Sequence, residues 1–107
     1  MNPKVTVIIP CYNSEKYVRE SVSSALWQTY ENVEVIAVDN ESTDTTLEIL
    51  KQMESENDNL TVLTAENIYP NCWDEAREVG YKKMTGDYVT VIGSDDLIEK
   101  DYIKSCV

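Results

Sequence analysis

Three short segments of this chain carry side chains suited to holding a small polar ligand. Pro10-Cys11-Tyr12-Asn13, Asp39-Asn40-Glu41-Ser42 and Gly93-Ser94-Asp95-Asp96 each follow a short apolar, β-branched run. A carboxylate at the end of such a run accepts hydrogen bonds from a base or a ribose, or binds a hard cation. Adjacent Asp95 and Asp96 are expected to point in different directions, one toward a metal ion and the other toward a sugar hydroxyl. Mg²⁺ or Mn²⁺ commonly takes one or two protein carboxylates and completes its shell with diphosphate oxygens and water. Taken singly, each residue has a plainer reading. Asp39 serves equally well as a turn or cap residue, and Tyr12 and Asn13 do the same. Asp95-Asp96 reads as a solvated turn opening a helix, and Arg77 as the helical neighbour of Asp74. Only a fold that brings the three segments together makes a site of them.

The elements that would do so are legible in the hydrophobic pattern. Val5 to Pro10, Glu34 to Asp39, Leu60 to Thr64 and Asp87 to Gly93 read as strands. Between them, Val18, Val22, Ala25 and Leu26 recur at helical spacing to about Gln28, with Asn13 or Ser14 placed to cap that helix. Leu47, Leu50 and Met53 mark a second helix behind Ser42-Thr43-Asp44. Trp73, Ala76, Val79, Gly80 and Met84 mark a third, after a loop at Asn67 to Asn71. Gly86 stands where a left-handed C-terminal cap is wanted, and a short helical turn is expected from Lys100. The order β-α-β-α-β-α-β predicts an α/β, Rossmann-like parallel sheet with right-handed crossovers and helices on its faces. In such sheets ligands bind beyond the C-terminal strand edge, which is where all three segments fall.

Composition narrows the function. The 107 residues suit one domain, 1–107, with 42% hydrophobic and 27% charged residues. Twenty acidic residues against nine basic give a net charge of −11, which excludes nucleic-acid binding as the main role. An anionic small molecule remains compatible if a cation neutralises it locally. No apolar run approaches the roughly 18 residues of a membrane span, and the N-terminal residues lack signal-peptide architecture, so a cytoplasmic location is expected. Cys11, Cys72 and Cys106 are widely spaced, there is no His, and buried free thiols are expected. A dinucleotide-binding turn needs Gly after the first strand, and residues 11 to 16 have none. A P-loop is absent too.

In combination the segments resemble the N-terminal, donor-binding half of family 2 glycosyltransferases, which have the GT-A nucleotide-diphospho-sugar transferase fold. The resemblance runs from about Lys4 to Ile103. It rests on Val5 through Asn13, Ser24-Ala25-Leu26-Trp27-Gln28-Thr29-Tyr30, Val38 through Asp44, and Gly86-Asp87-Tyr88 through Asp96. It implies that Pro10, Cys11 and Tyr12 line a nucleotide pocket, that Asp39 hydrogen-bonds the base, usually uracil, and that Arg77 approaches the donor. Asp95 and Asp96 look like the D-x-D region that touches ribose or sugar and the divalent metal, Mn²⁺ or Mg²⁺. The resemblance further implies sugar transfer from a UDP-sugar, with inversion, to a saccharide or lipid-linked acceptor at the inner membrane face. The acceptor half and the catalytic base are expected beyond Val107. Three departures stand out: Gly93 replaces the first Asp of D-x-D, Asn40-Glu41 replaces the commoner Asp-Gly, and Glu78 stands where Asn is frequent. With later strands missing, the fourth strand is expected at an open sheet edge that recruits a second copy through Val89 to Ile92. The rival readings are a non-catalytic nucleotide-binding or assembly domain and a receiver-like signalling module. The second needs an acidic pair after strand one, where Pro10-Cys11-Tyr12-Asn13 offers none.

Overall fold

Strand β1 (Val5–Cys11) is buried along its whole length because it is hydrogen-bonded on both edges and covered on both faces. The structure, a computed structural model, describes residues 3–65 and 72–106, the side chains of 72–75 and 105–106 excepted. After β1 come α1 (Val18–Leu26), β2 (Val33–Asp39), α2 (Thr46–Glu56) and β3 (Leu60–Thr64). Then follow α3 (Cys72–Lys83), β4 (Tyr88–Val91) and α4 (Tyr102–Cys106). The sheet order is β3-β2-β1-β4 and every pairing is parallel, as the alternating element order predicts. Register runs from Val5 opposite Val33 to Cys11 opposite Asp39, and from Val5 opposite Tyr88 to Ile8 opposite Val91.

Strand alternation divides the core between the two faces. Val5, Val7, Ile9 and Cys11 point to one side, where Val18, Val22 and Ala25 of α1, Leu50 and Met53 of α2, and Ile92 and Ile103 close over them. Ile8 points to the other side with Ile36 and Val38, against Ala76 and Val79 of α3. Val7, Ile8 and Ile9 have no exposed surface. Each contributes about 1.5–3 kcal/mol relative to leaving it in water. The edge strand β4 differs: Tyr88, Val89 and Val91 are all at least 37% exposed, so neither of its faces is covered among the described residues.

Local expectations fail at two places for physical reasons. Gly86 is not a left-handed cap, since no glycine among the described residues has positive φ. It is required for close approach: a Cβ there would lie 2.8 Å from the Thr6 backbone nitrogen and nearer still to the Thr6 hydroxyl. The first helix also starts later than its cap residues suggested. Ser14 uses its carbonyl, accepting the amides of Tyr17 and Val18, and the helix proper begins at Val18. The loop at 67–71, the packing of Trp73, the thiols of Cys72 and Cys106 and the Asp74 partner of Arg77 lie outside the described residues.

At the N-terminal end of the sheet, Glu34 ties three segments together. Its carboxylate accepts the Thr6 hydroxyl at 2.6 Å, and the Thr85 amide and hydroxyl at 2.9 and 3.0 Å. Burial pushes its carboxyl up, but these hydrogen bonds and the charge of Lys4 outweigh that and hold it below its ordinary value. A depressed folded-state value means stability that is complete above the unfolded value and lost as pH falls through the folded one. Thermal melts of wild type and Glu34→Gln should therefore differ most near neutral pH. They should converge only in acid below the folded-state value, where the native carboxyl is protonated as well. Parallel curves across that range would refute the role of the ionised group.

Candidate active site

The chain leaves β1 for β2 and β3 on one side and comes back to β4 on the other, so the strand order reverses between β1 and β4. Loops that leave neighbouring strands toward opposite sides open a crevice at the C-terminal edge. A cleft of about 720 Å³ lies there, within the range typical of small-molecule sites. Pro10 and Tyr12 form one wall, Val91 to Asp95 the other, and Tyr17 and Arg77 also line it.

Four of the residues expected at the site from sequence meet here: Pro10, Tyr12, Arg77 and Asp95. The other three do not line the cleft. Cys11 points to the opposite sheet face because strand side chains alternate. It is fully buried, its thiol donates to the Ile9 carbonyl, and burial with the nearby Asp39 charge pushes it up to about 12. Asp39 is 1% exposed and closes its own turn, accepting the Ser42 amide at 3.1 Å and hydroxyl at 2.5 Å. Asp96 turns back to accept the Gly93 amide at 3.0 Å. Sequence reasoning passed over Tyr17. The available signal was an aromatic residue immediately before Val18, the first buried position of the helix.

The departure at Gly93 has a geometric consequence. A Cβ there would lie 3.0 Å from Asp96 Oδ2 and 3.1 Å from Asp95 Oδ1. The two carboxylates thus approach one point above the glycine. Among the described residues no group of three or more acidic, Cys or His side chains is placed to hold a metal ion. Two carboxylates are nonetheless the usual protein share for Mg²⁺ or Mn²⁺ when diphosphate supplies other ligands. The donor set therefore fits a cation that arrives with a nucleotide.

The loops after β1 and β2 are fastened to each other. Ser42 Oγ accepts the Asn13 amide at 3.0 Å, and Asn13 Oδ1 accepts the Thr43 amide at 2.8 Å. Glu15 accepts the Thr45 amide, while Asp44 accepts the amides of Glu15 and Thr46 at the start of α2. Around Asp44, burial pushes the carboxyl up, but the Thr46 hydroxyl and these amides hold it below its ordinary value. The arrangement needs two left-handed residues, Asn13 at φ 46° and Glu41 at φ 54°. Asn tolerates that region; Glu does not, which accounts for the glycine commoner at that position in the resembling family.

Comparison with known proteins gives the family and the fold. The profile of glycosyl transferase family 2 matches residues 6–107, and the chain belongs to that family. Over 105 residues it is 38% identical to the glycosyltransferase GlyA of Streptococcus pneumoniae, covering 98% of this chain and 15% of GlyA. The structure of Staphylococcus aureus TarS 1–349 in complex with UDP-GlcNAc superposes with a TM-score of 0.80 at 34% identity. That match covers 96% of this chain and 30% of TarS 1–349. A mannosyltransferase of Pyrobaculum calidifontis, solved with GDP-Man and Mn²⁺, gives 0.77 at 27% identity over 91% of this chain and 29% of that one. The fold is the α/β fold of GT-A glycosyltransferases, and this chain spans under a third of the length of each of these three proteins.

Replacing Glu41 by glycine relieves the left-handed strain. Glu41→Gly should raise unfolding stability by about 0.5–1 kcal/mol. Urea denaturation of the two proteins side by side tests this, and a loss of stability would contradict it.

Proposed function

We propose that this chain is the donor-binding portion of an enzyme that transfers a sugar from a UDP-sugar to an acceptor hydroxyl with inversion. The observation that carries the reading is the meeting of Pro10, Tyr12, Arg77 and Asp95 in one cleft where the strand order reverses. The Tyr12 ring, half-exposed at the mouth, suits stacking on a base, and Asp39 beneath the neighbouring loop sets the turn beside it. Arg77 brings a guanidinium fork to the same space, suited to diphosphate oxygens. Asp95 and Asp96 would hold Mn²⁺ or Mg²⁺. Such a cation, when bound, offsets the negative charge that builds on the departing nucleoside diphosphate. It also reconciles a net charge of −11 with an anionic donor.

Inversion asks for a base that removes the acceptor hydroxyl's proton as the hydroxyl attacks the anomeric carbon. Asp95 is the sole carboxylate lining the cleft among the described residues, and it is assigned to the cation. The base and the acceptor-binding half are therefore sought elsewhere in the protein. The acceptor is read as a saccharide or a lipid-linked saccharide in polysaccharide synthesis, met at the cytoplasmic face of the membrane. No helix among the described residues is long and apolar enough to cross a membrane. UDP-GlcNAc in TarS supports a uridine donor, and GDP-Man with Mn²⁺ in the mannosyltransferase supports the cation.

Calorimetric titration of UDP with and without Mn²⁺ tests the site. Wild type should bind more tightly with Mn²⁺, and Asp95→Ala should weaken that binding at least about tenfold while leaving metal-free binding unchanged. No binding by a folded wild-type chain would end the donor reading.

One observation favours an assembly role beside it. Among the described residues, Tyr88, Val89 and Val91 leave the β4 edge apolar and uncovered, and open edges recruit further strands. The 107-residue chain is expected to self-associate through Val89 to Ile92, giving a light-scattering mass above 12.2 kDa that rises with concentration. A monomer at every concentration would count against it.

A further inference from the structure

Residues 92 to 101 belong to neither helix nor strand, yet they carry Asp95 and Asp96. A backbone without regular structure must find partners for its amides and carbonyls elsewhere. Helix α1 and the residues just after it supply them. The Ser21 hydroxyl donates to the Gly93 carbonyl at 3.0 Å, and Ser24 Oγ accepts the Ile98 amide at 3.2 Å. Gln28 donates to the Glu99 carbonyl at 2.8 Å and accepts the Ile103 amide at 2.9 Å. Ser21 and Ser24 stand at i and i+3 on one face of α1, and Gln28 follows just past its end.

Local preference does not explain that placement. Serine inside a helix competes with the helix's own hydrogen bonds, and Ser24 does bond back to the Ser21 carbonyl. Ser21 is fully buried beside Val22 and Ala25, where alanine would suit both the helix and the core. What these polar groups accomplish is tertiary: they anchor the chain on either side of the acidic pair, at Gly93 and at Ile98. The Ser14–Ser94 hydroxyl contact, 2.5 Å long and buried, holds the residue between Gly93 and Asp95 to the loop after β1.

We propose that Ser21, Ser24 and Gln28 are positioning residues, a polar track along α1 and the residues just after it on which segment 93–103 is laid so that Asp95 and Asp96 converge over Gly93. The proposal rests on the donor-site reading for its function, and on the hydrogen bonds alone for its geometry. None of the three lines the cleft; they act through the backbone that carries the carboxylates.

The test uses Ser24→Ala, Gln28→Ala and the hydroxyl-retaining Ser24→Thr in the full chain. Amide hydrogen exchange without ligand should quicken about three- to tenfold between 93 and 103 in both alanine variants, and stay unchanged in β1 and β2. The gain in UDP affinity on adding Mn²⁺ should fall by a similar factor of about three to ten, with affinity in EDTA unaltered. Ser24→Thr should restore both. Unchanged exchange in 93–103 would overturn the track. A loss of affinity equal with and without Mn²⁺, or no recovery in Ser24→Thr, would reduce it to general stability. Wild type that binds no nucleotide would instead remove the donor reading, and the exchange rates would then decide the geometry by themselves.

Discussion

Everything at the candidate site depends on β1 being held from all sides. It exchanges parallel hydrogen bonds with β2 and β4 and buries alternate residues against helices on opposite faces. A strand so constrained cannot slip by one residue without moving Val7 and Ile9 out of one core and Ile8 out of the other. Its C-terminal end is therefore a fixed point, and the reversal of sheet order beside it opens the cleft. The loops after β2 and β4 are located by bonds to the loop after β1: Ser42 and Thr43 to Asn13, and Ser94 to Ser14.

The acidity of the chain becomes intelligible at this edge. Glu15 and Asp44 are engaged with amides where α2 begins, and Asp39 with the turn it closes. Negative groups are stable at helix starts and on free N–H groups, so these carboxylates organise loops. Asp96 likewise accepts the Gly93 amide, but it and Asp95 also converge over that glycine, whose lack of a side chain leaves room there. Under the proposed reading, a divalent cation that arrives with a diphosphate is the ligand such a pair would take.

Stability and function divide along the sheet. At the N-terminal edge, Glu34, Thr6, Thr85 and Gly86 pack so closely that the backbone of β1 touches the segment before β4. At the C-terminal edge the backbone departs from regular structure and admits left-handed residues at Asn13 and Glu41. One end clamps the strands in register; the other carries the irregular loops that a binding site needs.

Much of this was legible in the residues themselves. Runs such as Val5 to Pro10 and the helical spacing of Val18, Val22 and Ala25 determine strands, helices and their alternation, because apolar periodicity reports directly which face is buried. That alternation, with acidic groups at strand ends, was enough to place ligand chemistry at the C-terminal edge. Only the tertiary structure decided which of those residues reach the cleft. Cys11 and Tyr12 are neighbours in sequence, yet Cys11 ends the strand pointing into the core and Tyr12, just past it, lines the cleft. Ser21 reads as an indifferent helical residue until Gly93 is brought beside it across 72 positions. Local pattern determines which elements form; side-chain direction and long-range hydrogen bonds, settled only when the elements pack, decide which residues make a site.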